Sequence, residues 1–474
     1  MATTPGQYLY AVDRREVIET RIQRINEKAG AAGAHPVIRP IFSKGDEKFT
    51  TGSENVRRDL REQPTHDNDA PHAIIICTHE GLLSSDLSTY GGWTLIIDET
   101  PNLWTFREVG SQFTWPLFQQ FFDLDPINED HARVEIRRAT PTVERLKKDT
   151  GLSDEFRDLL RRWQASRPVV NLTAWDQAAD GGRWWWCSVW DATRLKVFRR
   201  VVILANSFEE SLTYKLLKQQ GVNLVPFSIR DDRVWQPRPI LIRFFAEAHQ
   251  AGTGFWTNPN DDDGAEALRR VFDWITRNSD PDDHFYSANV GALARTTLPG
   301  FKLQPKVSGS NSYQSLTSAS FIYTAKPSIA ELEALDLYGI GYDDVVRARE
   351  REDVIQFFWR SSIRVPDDAR ACEFRVYDRV QALFLAEFIE ASGRPFTVVL
   401  EHVAEAGVDQ FKPRRVGAPR KHRTPGEEAA RKERRRRDGN QGRKDRRTRA
   451  RQRDVEAGIV KRRGRPTKWL HAPR

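Results

Sequence analysis

Cysteine is scarce in this sequence, with three in 474 residues. Cys77, Cys187 and Cys372 lie far apart, without the close spacing of a zinc site or a disulfide framework. Long apolar runs are also missing, since none approaches the roughly 20 residues that a bilayer requires. The first residues lack a basic and then apolar signal sequence. These absences predict a cytoplasmic protein with reduced core cysteines, no structural metal and no membrane partner.

Charge is distributed unevenly along the chain. The formal net charge is +8. Residues 412–474 contain 25 lysine and arginine residues against 7 acidic ones, a net charge of +18, whereas the rest of the chain contains 49 basic and 59 acidic residues. This split predicts a folded, mildly acidic body with an appended arm that binds polyanions.

Short runs of isoleucine, valine and phenylalanine predict the strands. They show no polar alternation, which is typical of strands buried on both faces of a parallel sheet. The runs are residues 8–12, 73–77, 95–97 and 201–205 in the first half, and 240–245, 285–290, 321–324, 374–377 and 396–400 in the second. Helical patterns separate them, so the predicted fold class is α/β with two doubly wound parallel-sheet domains.

Domain boundaries follow from these patterns and from composition. The tail lacks apolar periodicity and cannot bury enough surface to fold alone, so we expect it to be disordered. The predicted order is a first domain at 1–235 with a mostly helical insertion near 113–198, a second domain at 236–405, and the basic tail at 406–474.

The most informative segment is Leu-Ile-Ile-Asp-Glu-Thr-Pro at residues 95–101. Its strand ends in two carboxylates, at the sheet edge where ligands bind in open α/β folds. In phosphoryl transfer, the first can hold hydrated Mg²⁺ and the second can orient the attacking water. Asp98 is therefore the candidate indirect magnesium ligand, and Glu99 the second candidate catalytic residue. Alone, such a pair can equally begin a solvated loop.

Four further segments stand in a suggestive order around this motif. They are Thr78-His79 after the strand at 73–77, Ala-Asn-Ser at 205–207, Ser-Gly-Ser-Asn-Ser-Tyr at 308–313, and Gln-Phe-Phe-Trp-Arg-Ser-Ser-Ile-Arg at 356–364. Across roughly residues 7–400 this order resembles superfamily-two helicases of the DEAD/DEAH-like type. The resemblance implies two RecA-like domains, ATP with Mg²⁺ as cofactors, and a nucleic-acid substrate.

The resemblance also implies roles for particular residues. Asp98 and Glu99 take the positions of the magnesium-binding and water-activating pair, and Thr78 and His79 the positions that touch the nucleic-acid backbone. Gly309 and Asn311 lie in the second domain's loop near the nucleotide. The arginine-finger motif corresponds to Gln356, Arg360 and Arg364, where either arginine can be the finger because the spacing is one residue longer than usual.

The family's phosphate loop, Gly-x-x-x-x-Gly-Lys-[Ser/Thr], is absent from the sequence. In the family it precedes a strand like residues 8–12. One explanation is a chain shortened at its N-terminus. The other is a helicase-like protein that no longer hydrolyses ATP. We favour shortening, because losing a central strand leaves a costly hole in a packed sheet, and we expect poor ATPase activity from this chain.

The tail contains Lys-Arg-Arg-Gly-Arg-Pro-Thr-Lys at residues 461–468, a match to an AT-hook. Arg463, Gly464, Arg465 and Pro466 form its core, in which glycine permits close approach and the arginines follow a narrow A·T-rich minor groove. We therefore expect DNA as the partner, with RNA still open. We expect association with the nucleoid if the source is bacterial or phage, and a nuclear location if it is eukaryotic.

Each motif also has a structural interpretation. Gln-x-x-x-Arg is usually a solvated helix face, Gly309 and Asn311 are turn formers, and the tryptophans at 184–186 and 190 are more typical of a core than of a base-stacking platform. Two rival functions remain open. One is a non-catalytic DNA-binding protein on a degenerate helicase scaffold, and the other is a phage packaging-type ATPase, which a following nuclease domain with clustered carboxylates would indicate.

Overall fold

The computed structural model describes residues 1–43, 52–67, 69–110, 115–137, 154–178, 182–227, 232–258, 262–293, 297–305 and 312–413. The chain divides into two compact units, Met1–Pro413 and Arg414–Arg474. The hook residues Arg463, Gly464, Arg465 and Pro466 lie outside the described residues, as do Gly309 and Asn311.

The first half is built on a parallel sheet. Among the described residues its strands are β1 (Gly6–Val12), β2 (Val37–Ile41), β3 (His72–Thr78), β4 (Thr94–Asp98) and β10 (Arg200–Leu204), in the order β10-β4-β1-β3-β2. Its helices are α1 (Ile18–Ala31), α2 (Gly52–His66), α3 (His79–Ser84) and α7 (Leu212–Gln219).

Alternate residues of these strands enter two different hydrophobic cores. Leu9 and Ala11 of β1 pack into one core, while Tyr10 and Val12 pack into the other. All residues of β3 from His72 to Cys77 are buried. A sheet covered on both faces requires apolar residues at consecutive positions, which is why the isoleucine runs predicted these strands.

An antiparallel sheet follows β4, and the prediction of a mostly helical insertion near 113–198 did not include it. Its described strands are β5 (Trp104–Val109), β6 (Phe122–Pro126), β7 (His131–Ile136), β8 (Val169–Asn171) and β9 (Trp184–Val189), in the order β5-β9-β8-β7-β6. The helices beside them are α4 (Trp115–Phe121), α5 (Asp154–Ser166) and α6 (Leu172–Gln177).

The tryptophan run of β9 explains why the sequence did not predict the antiparallel sheet. Trp184 and Trp186 enter one core and Trp185 the core of the first parallel sheet, so the strand is buried on both faces and shows no polar alternation. Trp190 is also buried. The tryptophans are core residues, as their structural interpretation predicted.

The second half contains the other parallel sheet, which confirms the predicted fold class. Its described strands are β11 (Arg238–Ala246), β12 (His284–Ala288), β13 (Phe301–Lys302), β14 (Ser318–Ile322), β15 (Cys372–Asp378) and β16 (Phe396–His402), in the order β13-β12-β14-β15-β11-β16. Its helices include α8 (Thr253–Trp256), α9 (Asp263–Arg277), α10 (Val290–Leu293) and α14 (Arg379–Ala391).

One segment of the second half packs against the first. It comprises α11 (Ile329–Asp336), α12 (Tyr342–Val346) and a π-helical turn (Arg347–Arg351), and α13 (Glu352–Phe358) follows it. Leu335, Ile340 and Val345 belong to the first sheet's core, and Lys215 pairs with Asp344 at 2.6 Å. This helical segment thereby connects the second half to the first within the unit Met1–Pro413.

In the described part of the chain, no helix combines the length and apolarity needed to cross a membrane. The three cysteines are buried and unpaired. Burial raises the pKa of the Cys77 thiol to about 12, so this side chain stays a protonated core residue.

Candidate functional site

The carboxyl ends of three neighbouring strands bring the candidate residues of the first half together. β1 pairs in parallel with both β3 and β4, which aligns Val12 with Thr78 and Ala11 with Ile97. The residues that follow these positions are Asp13, His79 and the Asp98-Glu99 pair. This edge of a parallel sheet is the usual place for a ligand, so the location agrees with the sequence-based prediction.

Glu99 has an unusual backbone conformation. Its φ angle is 72°, in the left-handed region that non-glycine residues rarely adopt. The Glu99 main-chain N–H donates to the carbonyl of Leu204 at 2.8 Å, which fixes the turn against β10. Such strain costs about 1–3 kcal/mol and is concentrated at functional sites. The backbone therefore holds this carboxylate in a set direction at some energetic cost.

Burial, and after it the neighbouring charges of Asp13 and Asp98, raise the pKa of the Glu99 carboxyl from 4.5 to about 7. The cations Arg360 and Arg14 oppose this shift. A carboxyl group that titrates near neutral pH can accept a proton from water efficiently, because it is both available and sufficiently basic. Glu99 has the properties of a general base.

Arg360 approaches Glu99 from the second half of the chain. Arg360 is 5% exposed. Burial lowers the pKa of its guanidinium to about 10, although the charge of Glu99 acts to raise it. Its Nε has no hydrogen-bond acceptor within the described structure. A buried cation with an unsatisfied donor costs free energy, and an anionic ligand would recover it.

Glu99 and Arg360 interact without touching. No ion pair within 4.0 Å joins them among the described residues, although each charge shifts the other's pKa. A direct salt bridge would lower the pKa of the carboxyl and raise that of the guanidinium, whereas burial shifts both pKa values the other way. The two groups are therefore close enough to influence each other electrostatically, with the carboxyl on the first half of the chain and the guanidinium on the second.

Arg364 shows no electrostatic effect of the acidic edge on its pKa. It ends a 3₁₀ turn, Ser362–Arg364, and burial followed by the charge of Arg233 lowers its pKa. No carboxylate contributes to that shift. Of the two arginines at this motif, the structure brings Arg360 to Glu99.

Gln356 is engaged within its own helix. Its Nε2 donates to Glu352 Oε1 at 2.9 Å, one turn earlier in α13. No described hydrogen bond of Gln356 reaches the first sheet, so the structure does not place it with Asp98 and Glu99.

Thr78 and His79 both support local structure. The Thr78 hydroxyl caps α3 by accepting from Gly81 N–H at 3.2 Å. The buried His79 ring donates from Nε2 to the Asp98 carbonyl at 3.0 Å, and burial lowers its pKa. Because that acceptor is a carbonyl, the neutral ring carries its proton on Nε2. These bonds connect β3 to β4 at the acidic edge.

Asp98 is already paired with a cation. Arg21 of α1 approaches Asp98 Oδ2 at 2.7 Å, and the Tyr10 hydroxyl donates to the same oxygen at 2.8 Å. Burial and the charge of Asp98 raise the pKa of the Tyr10 phenol. The sequence analysis did not identify Arg21, Tyr10 or Asp13, and only the position of Asp13 directly after β1 could have indicated one of them.

These contacts decide how well Mg²⁺ and ATP fit. The buried Arg360 guanidinium, whose Nε has no acceptor among the described residues, would suit a phosphate group. Asp98 is paired with Arg21, and no group of three His, Cys, Asp or Glu in the described residues could hold a metal directly. We therefore assign no step to a metal.

Comparisons with known proteins yield a fold likeness. No protein-family model matches the chain, and none of the curated proteins matches it. Among solved structures, a chain titled XPD helicase is similar over 83% of this chain and 92% of its own length, with 11% identical residues and a TM-score of 0.46. The fold class rests on the two parallel sheets themselves.

Proposed function

We propose that this chain is an ATP-dependent nucleic-acid helicase or translocase, with DNA as the favoured polymer. The observation that supports the proposal is the electrostatic interaction of Glu99, which follows β4 in the first half, with Arg360, which follows α13 in the second half. Its chemistry suits hydrolysis of a phosphoanhydride, because such a site needs a base for water and a fixed cation for the developing charge.

In this proposal Glu99 accepts the proton of the attacking water. Its pKa of about 7 leaves a substantial fraction deprotonated at neutral pH. The Arg360 guanidinium stabilises the negative charge that develops on the phosphoryl oxygens, and its burial strengthens this interaction because little water competes. Asp98, Gln356 and Arg364 remain sequence-based candidates without a step of their own.

The location of the pair on two halves of the chain links chemistry to movement. Glu99 and Arg360 can act on one nucleotide only while the two halves are together. Binding and hydrolysis of a nucleotide would therefore change the relative stability of closed and open arrangements. A motor that moves along a strand requires this kind of coupling.

The tail supplies the second support for a nucleic-acid partner. The net charge of +18 over residues 412–474 attracts phosphates, and the affinity it contributes falls as salt rises. Arg463 and Arg465 in the hook motif favour A·T-rich DNA. We propose that the tail tethers the folded unit and raises its local concentration on the polymer.

A non-catalytic DNA-binding protein is the second candidate. The Arg21 to Asp98 ion pair favours it, together with the missing phosphate-loop sequence. The packaging-type ATPase predicts clustered carboxylates in the second half, and the described residues contain no metal-binding cluster of that kind.

The test is ATP hydrolysis by the full chain, with and without single-stranded DNA. We expect DNA-stimulated turnover that falls by about 100-fold or more in Glu99→Gln, since a general base contributes roughly 10²–10⁴. Glu209→Gln is the matched control, because Glu209 is an exposed carboxylate after the neighbouring strand β10. Absent turnover in the native chain, with salt-sensitive DNA binding retained, would establish the non-catalytic candidate instead.

A further inference from the structure

A cavity of about 380 Å³ lies beside the candidate site. Three parts of the fold contribute to its wall: His79 and Leu83 from α3 of the first sheet, Trp104 and Arg107 from β5 of the antiparallel sheet, and Glu331 from α11 of the second half. Its volume falls within the roughly 300–1,000 Å³ of small-ligand pockets. Nothing described so far uses this space.

The carboxylates in the wall are balanced by partners within the protein. Glu331 accepts from the Trp104 indole at 3.1 Å and from Arg349 through two bonds of 3.0 and 2.5 Å. Asp13 pairs with Arg14 at 3.1 Å. Since bidentate pairing occupies both oxygens of Glu331, this carboxylate has little capacity for a cationic ligand.

The arginines in the wall have unused donors. Arg162 donates one bond, to Glu80 at 3.4 Å, and Arg107 donates to Asp158 at 3.3 Å and to the Phe106 carbonyl at 3.1 Å. A guanidinium has five N–H donors, so most of those on Arg162 have no acceptor among the described residues.

The carboxylate partners of these two arginines hold them weakly. The Glu80 side chain is 68% exposed and that of Arg107 is 56% exposed. Exposed ion pairs of this kind contribute little to stability. An anion that enters the cavity would meet two guanidinium groups, and binding it would require the loss of only weak ion pairs.

Aromatic side chains line the same cavity. Trp104 is 3% exposed and is fixed by its bond to Glu331 and by an edge-on contact with Tyr338 at 5.6 Å. Phe106, two residues along β5, lines the cavity and is half-buried. A fixed aromatic wall next to guanidinium groups suits a ligand that combines a ring with a phosphate.

We propose that this cavity binds one nucleotide of a single-stranded nucleic acid, with its phosphate at Arg107 and Arg162 and its base or sugar against Phe106 and Trp104. The choice of a strand as ligand rests on the proposed function. A free nucleotide presents the same chemical groups, so the test must separate these two sources.

The test is photo-crosslinking of the full chain to a thymine-rich single strand that carries one 5-iodouracil, followed by mass mapping of the adducts. We expect an adduct within β5, at Trp104 or Phe106. Its yield should fall about tenfold in the double variant Arg107→Gln with Arg162→Gln, because hydrogen bonds from charged donors to phosphate are lost. Adducts within residues 414–474 should keep their yield and serve as the internal reference.

Arg137→Gln is the matched control, because Arg137 is a half-exposed arginine of the same antiparallel sheet, paired with Asp123 at 2.7 Å and absent from the cavity wall. It should leave the β5 adduct unchanged, and thermal unfolding checks that all variants fold. Adducts confined to the tail, or a β5 adduct that the double variant does not weaken, would overturn the proposal. An equal β5 yield with free 5-iododeoxyuridine monophosphate would overturn the assignment to a strand.

No step of this experiment requires ATP. If the chain forms the β5 adduct but does not hydrolyse ATP, the strand site stands and the proposed motor function fails. If the chain hydrolyses ATP but forms no β5 adduct, the motor function stands and the strand site fails.

Discussion

Each of the two parallel sheets has a carboxylate at the carboxyl end of a strand, and the two carboxylates differ in their hydrogen bonds. Asp378 ends β15 and Glu99 follows β4. Asp378 is 2% exposed and accepts from two main-chain N–H groups, those of Ala251 at 2.7 Å and Gln381 at 3.0 Å. The side chain of Glu99 accepts no hydrogen bond from the described residues, and its φ angle is 72°.

The difference in hydrogen bonding is accompanied by a difference in what sets the pKa of each carboxylate. Burial raises the pKa of both groups, but the main-chain donors oppose that shift at Asp378, whereas Asp13 and Asp98 add to it at Glu99. Asp378 is also the N-cap of α14, a role that stabilises a helix. The carboxylate of the second sheet therefore stabilises its own fold, whereas the Glu99 carboxylate accepts no such main-chain hydrogen bonds among the described residues.

The largest expected effect concerns Arg360. Arg360→Ala should lower the DNA-stimulated turnover of ATP by about 10³-fold, the lower end of what an arginine finger supplies, as measured by steady-state kinetics. Arg364→Ala is the matched control and should cost less than about tenfold, because Arg364 does not act on Glu99. Equal losses in the two variants would remove the distinction between these arginines.

The comparison of the two carboxylates can be tested through stability. Asp378→Asn should lower the free energy of unfolding by about 2–3 kcal/mol, because the new amide donor would face the buried N–H of Ala251. Glu99→Gln should leave it within about 0.5 kcal/mol, or raise it. Chemical denaturation measures both changes. A large loss in Glu99→Gln would show that Glu99, like Asp378, is a structural residue.

The pH dependence of stability gives a third test. Since the folded state raises the pKa of Glu99 from 4.5 to about 7, it binds more protons than the unfolded state between those values. The free energy of unfolding should therefore fall as pH rises from about 4.5 to 7, by about 2 kcal/mol. Denaturation of the native chain and of Glu99→Gln across this range measures the difference, and parallel profiles would contradict it.

The smallest expected effect concerns the Arg21 to Asp98 ion pair. Arg21→Gln should lower the free energy of unfolding by about 1 kcal/mol, and added magnesium should recover part of that loss by binding near the released carboxylate. The native chain should not respond to magnesium in this way. Arg24→Gln is the control, one turn along the same helix and without an ion pair to Asp98 among the described residues.

The sequence was sufficient for features that depend on local pattern. Consecutive apolar residues predicted nine of the eleven described strands of the two parallel sheets and missed β2 and β13 at their edges. A carboxylate pair at a strand end predicted the acidic edge. The antiparallel sheet was missed because β9, like the parallel strands, is buried on both faces. Tyr10 and Arg21 were missed because their contacts with Asp98 depend on how distant strands and helices pack, which no local pattern reveals. Tyr10, for example, is 88 positions from Asp98 in the sequence.

The central claim is that Arg360 of the second half acts electrostatically on Glu99 of the first. The most direct measurement is the pKa of the Glu99 carboxyl, obtained by infrared difference spectroscopy with Glu99→Gln as the subtraction reference. The account predicts a pKa of about 7 in the native chain and a higher value in Arg360→Ala, because removal of a nearby cation disfavours the ionised carboxylate. A pKa near the ordinary 4.5, or one that does not change in Arg360→Ala, would contradict it.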